Sequence, residues 1–132
     1  MKSTIRVGNR AVSEFTVTEN MRPSFRGKVI HPVCSTWDLA HQFEIAARMT
    51  LEPHLERDEQ GIGTHLSIDH VKPILIGKFV SIEASIIELD GSTVICDLVA
   101  LVDGVICATG KQIQRVLSAD KIDQIIKLGA DD

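Results

Sequence analysis

The chain predicts an α+β fold in which a curved antiparallel sheet wraps one long helix, and three features carry that expectation. Leu39, Phe43, Ala46, Ala47, Thr50 and Leu51 recur at the spacing of a single helix face. From Gly61 to Leu117 the period changes from helical to alternating, and strong β-formers dominate. Two Asp-Gly dipeptides, Asp90-Gly91 and Asp103-Gly104, divide that stretch where tight hairpin turns belong. One apolar helix face against one antiparallel sheet is a two-layer solution for burying both.

Each element follows in chain order. Ala11 to Thr18 alternates weakly, with Ala11, Phe15 and Val17 on one side, and reads as a strand. Met21 to Val33 contains Pro23, Gly27 and Pro32 and reads as a loop. Ser35-Thr36-Trp37-Asp38 has the form of an N-terminal capping box, which starts the long helix, and Pro53 stops it. Strands are expected at about 62–71, 78–89, 92–102 and 105–117, the last three forming a meander through the Asp-Gly turns. Two-residue turns there would set Leu89 opposite Ser92 and Val102 opposite Val105. Ser118 caps a short terminal helix bearing Ile122, Ile125, Ile126 and Leu128, with Gly129 suited to its C-terminal cap.

The chain has 132 residues, 44% hydrophobic and 24% charged, which suits one domain spanning residues 1–132. Its net charge is −4 and its basic residues are scattered, which argues against nucleic acid as a partner. No apolar run approaches the roughly 18 residues of a membrane span. Met1 to Arg10 lacks an apolar leader core, so a cytoplasmic location is expected. Cys34, Cys96 and Cys107 show no zinc-ligand spacing. With Cys107 opposite Ala100, its distance from Cys96 is roughly 13 Å along the strand, beyond disulfide reach, so reduced thiols are expected.

Several polar residues stand where chemistry is possible. Glu44 lies inside the apolar helix, where an ionised carboxylate needs a partner or a task. The competing expectation is a solvated i,i+4 pair with Arg48. His70 ends the alternation Thr64, Leu66, Ile68, His70, which turns its imidazole toward the apolar side; it is either a general base or a core histidine bonded to backbone. Thr36 occupies the first helical turn, where its hydroxyl and free backbone N–H groups favour a negative oxygen, unless it merely caps. Cys34 also precedes that helix terminus, a setting that activates some thiols, although no histidine adjoins it in sequence. His41 and Glu44, spaced i,i+3, give with His70 at most three metal ligands and no recognised motif. Gly61-Ile62-Gly63 lacks the rest of a dinucleotide loop and reads as a place of close backbone approach. The strand from Val94 to Val102 is apolar on both faces, so an isolated copy would expose apolar surface and sheet edge, and a homodimer with one continuous sheet is expected.

Thr36, Glu44 eight positions later and His70 near a strand end, together with Arg6-Val7-Gly8, Phe43-Glu44-Ile45-Ala46, Gly63-Thr64, Pro73 and Gly77, resemble the fluoroacetyl-CoA thioesterase family of hotdog proteins. The resemblance implies the hotdog fold and hydrolysis of an acyl-CoA, with Thr36, Glu44 and His70 catalytic. It also implies that Gly63 lets the thioester approach and that Arg115 lies near the acyl end. No separate cofactor is implied, since coenzyme A enters as part of the substrate. In such a site Glu44 attacks the carbonyl or orients water, His70 is the base, and Thr36 positions Glu44 or stabilises the oxyanion. Residues 27–33 supply aliphatic Val29, Ile30 and Val33 and no aromatic lid, so Ile30 and Val33 are expected to line a pocket for short acyl chains without specific recognition of a C–F bond. The leading reading is a short-chain acyl-CoA thioesterase with its site at the interface of a dimer, or of a tetramer built from dimers. The alternative is a non-catalytic acyl-CoA or small-ligand binding module on the same fold.

Overall fold

The computed structural model describes residues 1–131. Strand β1 (Arg10–Thr16) leads through a 3-10 turn (Glu19–Met21) into the short β2 (Ser24–Phe25) and β3 (Lys28–Val29). Helix α1 (Thr36–Leu51) and a second 3-10 turn (Glu52–His54) follow. Then come β4 (Glu59–His70), β5 (Phe79–Asp90), β6 (Thr93–Val102), β7 (Val105–Ser118) and α2 (Ala119–Asp131). The main sheet has the order β1-β5-β6-β7-β4, antiparallel throughout. Helix α1 touches all five of its strands, as a sheet curled round a helix requires.

The core forms where the helical and alternating periods meet. Leu39, Phe43, Ala46, Ala47 and Leu51 of α1 are fully buried against Val80, Ile82 and Ala84 of β5 and Val94, Cys96 and Ala100 of β6. Burying Phe43 or Leu39 stabilises the fold by about 1.5–3 kcal/mol each before strain and entropy are counted. The small residues Ala46 and Ala47 let the helix lie close to the sheet. Gly110 on β7 does the same from the other side: a methyl there would sit 3.0 Å from the Phe43 ring and closer still to the Ser67 carbonyl.

Several local expectations are corrected. The first hairpin loop is Gly91-Ser92, closed by Asp90 opposite Thr93, so Leu89 faces Val94 rather than Ser92. The left-handed conformation falls there on Gly91, with φ +59°. The second hairpin turns on Asp103-Gly104 as expected, with Val102 opposite Val105. A bulge then inserts Cys107, so Ala100 faces Ala108 instead. All three cysteines are nevertheless free and buried. Strand β4 begins at Glu59, three residues early, and the expected loop at 21–33 holds the β2–β3 hairpin, which turns through Arg26 (φ +52°) and Gly27 (φ +80°). Ser118 does cap α2, accepting from the Lys121 N–H at 3.2 Å, but the helix runs through Gly129 instead of ending there. No helix among the described residues is long and apolar enough to cross a membrane.

Candidate active site

The start of α1 assembles the first part of the site. Ser35 is the N-cap: its hydroxyl accepts the Asp38 N–H at 3.2 Å and donates to the Asp38 carboxylate. The reciprocal arm of the capping box is absent, because the Ser35 N–H is already bonded to the Met21 carbonyl at 2.7 Å. Since Ser35 does the capping, the Thr36 side chain is released for another partner. That partner is His70, whose Nδ1 lies 3.0 Å from Thr36 Oγ1. Alternation along β4 does turn His70 inward, with Leu66 and Ile68, while Ser67 and Asp69 face solvent.

The other imidazole nitrogen, Nε2, is buried and has no hydrogen-bond partner among the described residues. An imidazole held at one nitrogen with the other unsatisfied is poised to bond or exchange a proton with a molecule entering beside it. Thr36 and His70 open on a groove of about 510 Å³ whose walls include Pro23, Phe25, Val33 and Trp37. The Phe25 and Trp37 rings meet edge to face, 5.5 Å between centroids at 88°. The aliphatic wall expected from residues 27–33 is thus replaced by an aromatic pair. Val33 reaches the groove and Ile30 does not line it; Phe25 lies just upstream of the stretch, and the β2–β3 hairpin supplies it.

Cys34 also lines this groove, but burial, reinforced by the charge of Asp38, pushes its thiol up to about 11. At neutral pH it is therefore a protonated thiol donating to the Ser35 carbonyl at 3.5 Å, not a nucleophile.

Glu44 stands two helical turns beyond Thr36. Its expected surface partner is engaged elsewhere, since Arg48 bonds Glu52 at 3.0 Å and Gln60 at 3.1 Å. Glu44 instead turns toward the sheet, where Oε2 accepts from Gln112 Nε2 at 3.1 Å. Gly63 makes room for it: a methyl on Gly63 would lie 3.0 Å from Glu44 Oε2. Glu44, Gly63, Gly61, His41 and Arg48 line a smaller cleft of about 210 Å³, separate from the Thr36–His70 groove.

The residues expected to act together are therefore only partly brought together within one chain. Thr36 pairs with His70, not with Glu44. His41 belongs to the Glu44 cleft and His70 to the other groove, so the three do not converge on a metal. Arg115 is exposed and projects from the face of β7 opposite to Gln112 and Gln114, the residues that point toward α1; the inward place near the site is held by Gln114. The two glutamines were missed, although Gln112 and Gln114 alternate in phase with the apolar Val116, which marks an inward strand face.

A sequence profile described as fluoroacetyl-CoA-specific thioesterase matches residues 17–120. Among solved structures, a Thermus thermophilus member of the thioesterase superfamily is 27% identical, covers 98% of this chain and 96% of its own, and superposes with a TM-score of 0.93. The fluoroacetyl-CoA thioesterase itself, at 20% identity over 96% of this chain and 98% of its own, has a TM-score of 0.86. A hot-dog-like protein from Thermanaerovibrio acidaminovorans, also 20% identical, covers 91% of this chain and 89% of its own with a TM-score of 0.84. No curated protein sequence matches the chain significantly.

Proposed function

The chain belongs to the fluoroacetyl-CoA-specific thioesterase family and is a thioester hydrolase of hotdog fold, and from that premise we propose that it hydrolyses short-chain acyl-CoA at a Thr36, Glu44 and His70 site completed by a second copy. The observation that carries this reading is the Thr36–His70 pair, 3.0 Å apart at the N-terminus of α1 with His70 Nε2 buried and unpartnered. His70 Nε2 takes a proton from the attacking water, the C–O bond forms, and the tetrahedral oxygen meets the free N–H groups of the first turn of α1. The acyl–sulfur bond then breaks, the sulfur leaves with that proton as the thiol of coenzyme A, and the carboxylic acid left behind gives its remaining proton to solvent as it is released. A route through an acyl-Glu44 anhydride needs the same proton transfer for its hydrolysis.

Within one chain, Glu44 lines a different cleft from Thr36 and His70. Thr36 and Glu44 are eight residues apart on one helix, about 12 Å along its axis, whereas reacting atoms must approach within about 3.5 Å. Among the described residues, strand β4 pairs only with β7 and leaves its other edge free. A two-fold pairing of β4 edges sets two α1 helices antiparallel, which brings the partner subunit's Glu44 toward Thr36 and His70. This dimer also supplies the continuous sheet that the free edge calls for.

The test is an acyl-CoA panel with detection of released coenzyme A. Acetyl to butyryl chains should all be turned over, with preference changing about fourfold per carbon, since one buried methylene is worth about 0.8 kcal/mol. Fluoroacetyl should exceed acetyl by less than about a hundredfold, because the groove offers apolar and aromatic contact but no group dedicated to fluorine. Tight acyl-CoA binding without release of the thiol would instead establish a binding module.

A further inference from the structure

Two glutamines face the helix from β7 and are almost wholly buried, Gln112 at 1% and Gln114 at 2% exposure. Primary amides in such positions are costly unless bonded, and apolar side chains there would be cheaper. On the neighbouring strand β4, Gly61 and Gly63 each lie against one of these amides, Gly61 also against Leu51 and Gly63 also against Glu44. A methyl on Gly61 would lie 3.0 Å from Gln114 Oε1, and one on Gly63 would lie 3.2 Å from Gln112 Nε2. A Gly-x-Gly stretch on one strand thus receives a Gln-x-Gln stretch on its neighbour, beside Glu44.

We infer that Gln112 is a positioning residue for Glu44, with Gln114 behind it; the inference rests on the catalytic reading of Glu44. The Gln112 amide holds Oε2 at 3.1 Å and leaves Oε1 without a hydrogen bond among the described residues. A neutral donor suits this task better than a cation, since an arginine would engage both oxygens and quench the carboxylate. Arg48, the basic residue of the same cleft, is turned away on Glu52 and Gln60. Gln112 Oε1 and Gln114 Nε2 are both buried without partners among the described residues. One is an acceptor and the other a donor, on the same strand face, so a single bridging water would link Gln114 through Gln112 to Glu44. Such a link would favour the Gln112 orientation that turns its N–H toward the carboxylate.

A double-mutant cycle on the full-length protein separates positioning from packing. Gln112→Met keeps the shape and removes the donor. It should lower kcat by about 10- to 100-fold, the kinetic equivalent of one hydrogen bond to a charged group, with KM changed by less than about twofold. In a Glu44→Gln background, assayed as single turnovers at high enzyme concentration, the same substitution should change the rate by less than about threefold. Gln112→Asn, which withdraws the amide by one methylene, should reproduce the kcat loss and keeps the test decisive where Gln112→Met does not fold. An equal loss in both backgrounds, or wild-type kcat in a folded Gln112→Met or Gln112→Asn protein while Glu44→Gln is crippled, overturns the positioning role alone. Wild-type turnover by Glu44→Gln overturns the catalytic reading and the positioning role with it.

Discussion

At the scale of single residues, the site depends on which hydrogen bonds leave a functional atom free. His70 has Nδ1 committed to Thr36 and Nε2 uncommitted, and a general base needs that division. His70→Ala should lower turnover by about 10² to 10⁴ without unfolding the protein, and Glu44→Gln should be comparably damaging. Thr36→Ser keeps the hydroxyl against Nδ1 and should be milder than Thr36→Ala, a ranking that steady-state release of coenzyme A would test. Cys34→Ser is the informative control. Its thiol, with a pKa pushed up to about 11, stays protonated below that pH and becomes a thiolate only above it. Activity between pH 6 and 9 should therefore survive the substitution largely intact, and a loss of more than about tenfold would restore the thiol as a candidate.

At the scale of elements, the distance between α1 and the sheet is set by small residues on both surfaces. Gly110 is the tightest point, with the Phe43 ring on one side and the Ser67 carbonyl of β4 on the other. Backbone and a packed ring cannot both retreat, so Gly110→Ala should destabilise the fold by about 1–3 kcal/mol, read from urea unfolding at constant m-value. A neutral outcome would mean that β4 and β7 separate more easily than their pairing suggests. Gly61 and Gly63 answer a further need at the same interface, because beside the Leu51 side chain they admit polar groups, the Gln112 and Gln114 amides and the Glu44 carboxylate. The Glu44 end of the sheet is thus opened by glycines that receive amides and a carboxylate, and the stretch nearer His70 by a glycine that receives a ring.

At the scale of the whole molecule, the two clefts of one chain become one site only if copies associate. Co-expressing Glu44→Gln and His70→Ala chains tests this directly. With random pairing, half of the dimers are mixed, and in each of these one of two sites joins an intact His70 to the partner subunit's intact Glu44. Activity should recover to about a quarter of wild type. A mixture as inactive as either parent would place Glu44 and His70 in one chain's site, or would mean that the chains do not associate.

Periodicity and turn residues were enough to read most of the architecture, because they encode local physics. The capping serine, the apolar stripe from Leu39 to Leu51, the switch to alternation and the Asp-Gly turns each state a preference that neighbouring residues share. The order and spacing of Thr36, Glu44 and His70 were legible too, through resemblance to a family. Register and partnership were not. The bulge at Cys107 and the one-residue shift of the first hairpin arise from how twisted strands meet, which no single strand encodes. Phe25 reaches the groove through a hairpin of two-residue strands, too short to show a period. Glu44 could have paired with Arg48, four residues away, and is held instead by Gln112, 68 residues away. A local pair costs little loop entropy but remains solvated and weak. Folding had already placed Glu44 against β7, and there a buried amide is the stronger partner because its side of the bond is shielded from water.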